Sequence, residues 1–393
     1  MSKFYETKLG AICEIFTGFP FKGNMYSEQG SLPVLRGENV TIGNLRWDTR
    51  KYWNHDVENL SIYFLKENDV VIGMDGSRVG RNRAAIRSTD LPMILAQRVA
   101  RLRAKEGFSQ KLLKYLIMDK SFVEYVDAIH TGTSIPHISP KQIFDFEVQL
   151  PVSLIQQERI AEVLSSLDDK IDLLHRNNKT LEQLAETLFR QWFVEEAEDA
   201  SGYHLCLEEI VDTVSYTHKF KKGGAVFLNT SDIYEGAILT NLFVNKEILP
   251  GQAKKSIQKG DILFSEIRPS NGRWAYVDFI ADDYVVSTKL MVIRSKGRVR
   301  SEFIYFYLTL KSTVDYLQMI AESRSGTFPQ ITFDQIKPLV IKIPSETILK
   351  EAEEWCISAL QKILFNKKQI QKLETLRDTL LPKLMSGVVR VEE

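Results

Sequence analysis

The chain has no apolar run approaching the roughly 18–20 residues that span a bilayer, and its start, MSKFYETKLG, lacks the apolar centre of a secretion signal. Both absences point to a cytoplasmic protein. Cysteine is scarce: Cys13, Cys206 and Cys356 lie far apart, with no CxxC pair and no histidine cluster beside them. A disulfide framework and a structural zinc site are therefore disfavoured, and three reduced, mostly buried thiols are expected. Net charge is zero, 51 basic against 51 acidic residues, so the total carries no nucleic-acid signature. There is no Gly-Lys dipeptide, which excludes a P-loop. Also missing are N-P-P-F or D-P-P-Y, a glycine-rich cofactor loop, P-D followed by E-x-K, and G-x-S-x-G. The six histidines fall at no metal-binding spacing. A chain of 393 residues with no recognisable active site is expected to recognise rather than react, using no cofactor or metal of its own.

What is there is said twice. VLRGENVTIGNL (34–45) returns as FLNTSDIYEGAI (227–238), KENDVVIG (66–73) as QKGDILFS (258–265), and HTGTSIPHIS (130–139) as SRSGTFPQIT (323–332). The offset stays near 192, as 261 − 69 shows. Charge divides along the repeat. Residues 1–150 carry 20 basic and 17 acidic groups, 151–198 carry 5 and 10, 199–343 carry 18 and 16, and 344–393 carry 8 and 8. The repeated parts lean basic, too weakly to establish DNA binding alone.

Each copy reads as mixed α and β. Asp69–Ile72, Arg98–Leu102 and Phe144–Val148 are strand-like in the first copy, with a helix from Lys111 to Val126. Asp261–Phe264, Lys289–Ile293 and a helix from Glu302 to Met319 match them in the second. Pro151 and Pro344 close the copies, and heptads follow each. The first seam runs Ile160, Leu164, Leu167, Ile171, Leu174, Asn178, Leu181, Ala185, Leu188, Trp192. The second runs Ala352, Cys356, Ala359, Ile363, Asn366, Ile370, Leu373, Arg377, Leu380, Leu384. A helix of about 38 residues is roughly 57 Å long, more than one turn of B-DNA at about 34 Å. The polar seam residues Asn178, Asn366 and Arg377 leave two readings open: they set register inside the seam, or they turn outward to water or another subunit. Asp168 and Asp169 are expected to be solvated charges on the helix surface. The expected class is α+β: two similar mixed α/β domains separated by two long antiparallel coiled-coil helices, an internal repeat with pseudo-two-fold symmetry. The boundaries are 1–151, 152–198, 199–344 and 345–393.

GMDGSRVGRNR (73–83) carries three glycines and three arginines after a strand. It matches neither phosphate-binding glycine pattern. Its readings are a basic loop close to DNA or a solvated turn. Gly lets backbone approach phosphate, and Arg pairs bidentately with phosphate or with guanine O6/N7. SEIRPSNGRW (265–274) puts Arg268 and Arg273 after the equivalent strand, which favours DNA contact. The candidates are Arg78, Arg81, Arg83, Arg268, Ser270, Asn271 and Arg273. The Gly-Thr-x-x-Pro and Gly-Thr-x-Pro loops suit helix capping by Ser139 and Thr332, while Ser134, His137, Arg324, Thr327 and Gln330 are the DNA-facing candidates there.

Three stretches carry a resemblance: Lys8-Leu9-Gly10-Ala11-Ile12; Gln157-Glu158-Arg159-Ile160-Ala161 leading into SSLDDKIDLLHRNNKTLEQLAETLFRQWF (165–193); and QKLETLRDTLLPKLMSGVVRV (371–391). In their order and twofold recurrence, essentially over the full length, they resemble the specificity subunit of a type I restriction-modification system. The resemblance implies two target-recognition domains, each reading half of a split site on double-stranded DNA. It implies spacer helices that set the distance and dock two methyltransferase subunits, with translocase/nuclease subunits joining for restriction. S-adenosylmethionine, ATP and magnesium would belong to those partners. Two rivals remain at this stage: a fused restriction or methylation enzyme with unrecognised motifs, and a coiled-coil adaptor with no DNA role.

Overall fold

The computed structural model describes residues 4–129, 136–192, 203–324, 327–343 and 345–391. It divides into two compact units, Met1–Lys170 with Lys372–Glu393, and Ile171–Gln371. The division cuts both long helices, so each unit holds one mixed α/β part and a stretch of each helix.

In the first unit the strand Phe4–Lys8 pairs antiparallel with Glu147–Pro151. A four-stranded sheet has the order Cys13–Thr17, Val99–Ala104, Val70–Gly73, Arg83–Ala85. Its central strand is apolar without alternation because both faces are covered. Val70 and Ile72 enter a core with Leu113, Ile117, Phe122 and Val126, while Val71 enters another with Leu35, Leu65 and Leu95. Each such side chain, fully withdrawn from water, contributes roughly 1.5–3 kcal/mol.

The second unit repeats this plan. Tyr203–Cys206 pairs antiparallel with Val340–Ile343, and the sheet order is Val211–Thr213, Leu290–Ser295, Ile262–Ser265, Trp274–Tyr276. Ile262 and Phe264 face one core and Leu263 another. A further sheet, with strands Phe243–Asn245, Gly224–Leu228, Tyr284–Ser287 and Ala253–Ser256, enlarges this copy.

Both expected single helices are broken. Gln110–Met118 and Lys120–Ile129 flank Asp119, whose extended backbone ends the first and whose Oδ1 accepts from Ser121 N at 2.9 Å. Ser301–Thr309 and Lys311–Arg324 flank Leu310, also extended (φ −55°, ψ 140°). Apolar spacing continues across each break, so periodicity alone does not reveal it. The strand expected at Phe144–Val148 begins three residues later, because Pro140–Phe144 forms a helix capped by Ser139 and Gln142.

The long helices are Leu154–Arg190 and Glu346–Met385. Within each unit they pack antiparallel. In the first, Ile160, Ala161 and Leu164 share a core with Leu381, Leu384, Leu112 and Tyr115. In the second, Ala185 and Phe189 share a core with Ala352, Cys356, Ala359 and Ile363, and the Trp192 and Trp355 rings lie 6.2 Å apart. Ile171, Leu174 and Ile370 are buried, while Leu167, Leu181, Leu188, Leu373 and Leu380 are half-buried.

The polar seam residues turn inward. Asn366 Nδ2 donates to Asn178 Oδ1 at 2.8 Å, and Asn178 Nδ2 to the Ile363 carbonyl at 3.4 Å. Arg377 Nη1 donates to Asp168 Oδ1 at 2.9 Å. The expectation of a solvated Asp168 is thereby corrected: its carboxylate also accepts from Tyr115 OH at 2.8 Å and from Lys114 Nζ. Burial by itself would raise its pKa. Lys114, Arg377 and the phenol outweigh that and hold the carboxyl below its ordinary value. Cys13 and Cys356 are buried and Cys206 is half-buried. Among the described residues no helix is long and apolar enough to cross a membrane.

Candidate nucleic-acid interface

The two copies share a frame that begins with a buried ion pair. Asp69, 1% exposed, accepts from Arg103 Nε and Nη2 at 2.7 and 2.6 Å and from the Lys66 backbone N–H at 2.7 Å. Asp261, 0% exposed, accepts from Arg294 Nε and Nη2 at 2.7 and 2.8 Å and from Gln258 N at 2.8 Å. Each pair ties the turn before the central strand to the neighbouring strand and so anchors the start of a strand whose far end, at Gly73 and Ser265, leads into the exposed loops. The bidentate geometry and the added backbone donor are what make such a buried carboxylate tolerable.

At that strand end three segments meet, with the same backbone hydrogen bonds in both copies. Met74 N donates to the Arg98 carbonyl at 2.9 Å, Ile138 N to Met74 O at 2.9 Å, and Gly76 N to Pro136 O at 3.0 Å. In the second copy Glu266 N donates to Lys289 O at 3.0 Å, Ile331 N to Glu266 O at 2.8 Å, and Arg268 N to Pro329 O at 3.1 Å. By these matching bonds Asp75 is the counterpart of Ile267, Gly76 of Arg268, Arg98 of Lys289 and His137 of Gln330. The backbone is common and the exposed side chains differ.

In the first copy the Asp75 carboxylate lies 2.5 Å from His137 Nδ1 and 3.2 Å from Arg98 Nη1. Beside it opens a cleft of about 850 Å³ that also takes in Tyr26, Arg36, Glu38 and Gln97. The Arg36 guanidinium lies over the Tyr26 ring and donates to the Thr49 carbonyl at 2.6 Å. Two cations at these junctions sit in the left-handed region: Arg98 (φ 66°) and Arg268 (φ 43°). Gly76, the counterpart of Arg268, has φ 97°. Left-handed backbone costs a residue with a Cβ roughly 1–2 kcal/mol, and glycine escapes that cost.

The sequence candidates divide by environment. Arg78 is exposed. Arg81 pairs bidentately with Asp127 at 2.9 and 2.7 Å. Arg83 is corrected to a structural residue. It is 7% exposed, donates through Nη1 to Gly80 O and through Nη2 to the carbonyls of Met118 (2.9 Å) and Asp119 (3.3 Å), and lies over the Phe122 ring. Burial lowers its pKa. It fastens the helix break at Asp119 to the sheet edge and has no free donor fork to offer DNA. Arg273 resembles it, half-buried over Tyr234 with Nη1 on the carbonyls of Ser231 (3.2 Å) and Ile233 (3.0 Å). Arg268, Ser270, Asn271 and Thr327 are exposed. Arg268 Nη2 donates to Thr327 O at 3.3 Å, and Ser270 N to Gln318 Oε1 at 3.1 Å. Gln330 and His137 form matching bridges to Ile267 and Asp75. Ser134 and the Arg324 side chain lie outside the described residues. Ser139 and Thr332 start helices Pro140–Phe144 and Phe333–Ile336, where Gln142 and Gln335 accept from their backbone N–H groups at 2.8 and 2.7 Å.

Sequence reasoning missed Arg98, Lys289 and Asp75. AQRVARL against STKLMVI (96–102 and 287–293 lie at the same strand start) holds the signal, a cation one residue before the strand in both copies. Among the described residues no three His, Cys, Asp or Glu side chains gather as a metal site.

A family model for the type I restriction modification DNA specificity domain matches residues 1–183 and 208–375. The chain belongs to this family. The two matched stretches each contain one copy of the junction. The HindI specificity subunit of Haemophilus influenzae is 46% identical over 156 residues, 39% of this chain and 34% of that protein. The MjaIX specificity subunit of Methanocaldococcus jannaschii is 25% identical over 426 positions, 100% of this chain and 98% of that one. The chain thus aligns with about a third of the first relative and nearly all of the second. A solved type I S subunit from M. genitalium shares the fold at TM-score 0.64, with 17% identity over 98% of this chain and 96% of that one. In the terms of the specificity family, the repeat is one domain written twice on a common frame.

Proposed function

We propose that this chain is the non-catalytic DNA-recognition subunit of a cytoplasmic type I restriction-modification complex. Residues 1–151 and 199–344 are its target-recognition domains, each reading one half of a bipartite site in the major groove. The helical segments 152–198 and 345–393 act as spacers that set the gap and dock two methyltransferase subunits, with translocase/nuclease subunits joining to cut. The observation that carries this reading is the doubled strand-end junction inside a doubled family match: matching backbone bonds presenting different side chains. One frame with two side-chain sets is what reading two unlike half-sites requires, since phosphate contacts position and base-edge contacts specify. The near-zero net charge suits a subunit whose partners supply much of the phosphate contact.

Exchange of residues 1–151 for those of a homologue with a different target tests the assignment. Methylation calling on the host genome is expected to show one half-site altered and the other retained. Alteration of both halves, or of neither, refutes it.

A further inference from the structure

The strand-end junctions hold three features that a structural turn does not need. Arg98 and Arg268 keep left-handed backbone that glycine would adopt without strain, and at the position of Arg268 the other copy does have glycine. Strain retained at an exposed cation is a mark of ligand clamps. The Arg98 side chain is 72% exposed, yet it is anchored at one end. Asp75 takes one of its terminal nitrogens on Oδ2 while Oδ1 is engaged by His137. A carboxylate gripping one arginine nitrogen restrains a mobile side chain while most of its surface stays open to a ligand. Arg268 is held likewise, by one nitrogen on the Thr327 carbonyl.

A guanidinium restrained in this way matches one base edge best. Guanine offers O6 and N7 side by side in the major groove, and arginine spans both. We infer that Arg98, positioned by Asp75, reads a guanine in the half-site of the first copy, and that Arg268 reads a guanine in the half-site of the second. The inference rests on the DNA-reading role proposed above and adds to it the residue and the base. The copies also differ around these arginines. Asp75 and His137 give the first junction a carboxylate and an imidazole, whereas the second has Ile267 and Gln330 at those places and sets its carboxylate, Glu266, 3.9 Å from Lys289, so the neighbouring bases need not be the same.

The test uses the full chain expressed with its partner subunits, read by methylation calling across the genome. In Arg98→Ala one guanine of the half-site that moves on exchange of residues 1–151 becomes degenerate. Preference for it falls about tenfold to a hundredfold, and the other half-site is untouched. In Arg268→Gly the degenerate guanine lies in the other half-site, while the melting temperature stays at or above that of the parent because glycine suits the backbone there. If Arg98→Ala abolishes methylation, Arg98→Gln decides: its amide cannot donate to both guanine O6 and N7, and the same single position is expected to relax or to move toward adenine. A parental motif from Arg98→Gln or Arg268→Gly, or a loss spread over both half-sites, overturns the inference. Where the domain exchange moves one half-site but these variants keep the parental motif, only the inference fails. Where the exchange moves neither, the reading beneath it fails.

Discussion

Removing the Asp168 carboxylate probes how the helices are held in the first unit. Its side chain is 18% exposed, and it gathers Arg377 from the second long helix with Lys114 and Tyr115 from the globular part. Asp168→Ala leaves two cations crowded at a half-buried site, Lys114 without this carboxylate and Arg377 with only the exposed Asp378, 3.0 Å from its Nε. Breaking a fully buried pair costs about 3–5 kcal/mol. Arg377 and Lys114 are 30% and 31% exposed, so water screens part of this, and about 2–3 kcal/mol is expected. Asp168→Asn retains an acceptor for Tyr115 and is expected to cost less. Hydrogen exchange of the backbone amides in 160–168 and 377–384 reads the loss locally, where 2–3 kcal/mol corresponds to roughly 30- to 150-fold faster exchange. The pH dependence has a defined sign. The folded pKa of Asp168 lies below the unfolded value of about 3.9, so its contribution is complete above that pH and disappears as pH falls through the folded value. The gap between parent and Asp168→Asn is therefore constant near neutrality and narrows in acid. Parental exchange rates in Asp168→Ala, or a gap that widens below pH 4, would refute the reasoning.

Arg83→Ala is expected to destabilise the first unit by about 1–3 kcal/mol, since three carbonyls, one buried and two half-buried, lose their donor, while the methylation motif is unchanged. Urea unfolding and methylation calling check the two halves of that statement. Asp69→Ala and Asp261→Ala strand equivalent half-buried arginines and backbone donors, so each is expected to cost about 2–4 kcal/mol in its own unit, seen as loss of amide protection in the central strand of that copy alone. Asn366→Leu leaves Asn178 without its amide partner in the seam and is expected to cost about 1–3 kcal/mol. Adding Asn178→Leu is expected to recover most of this in thermal melts, because two apolar residues replace a pair whose Asn366 Oδ1 already lacks a partner.

The sequence by itself determined what repeats and what periodicity impose. Val70–Val71–Ile72 and Ile262–Leu263–Phe264, short apolar runs bounded by Gly and polar residues, fit strands covered on both sides, and five consecutive heptads specify paired long helices. The 192-residue offset made the duplication legible before any contact was known. Tertiary structure decided the fate of the charges, because an arginine has the same letter whether it is exposed or buried. Within one eleven-residue loop Arg78 meets water, Arg81 meets Asp127 and Arg83 meets three carbonyls. Asp168 and Asp169 are neighbours in the chain, yet only the first turns toward Arg377, a residue 209 positions away. Arg98 drew no notice in the sequence because its importance comes from Asp75 and His137, which reach it only when the end of one strand, the start of another and a returning loop are folded to one point. Local pattern reports what a segment buries; which partners a polar side chain meets depends on chain closure over separations from 23 residues (Arg98 to Asp75) to 209 (Asp168 to Arg377), and local pattern does not encode that.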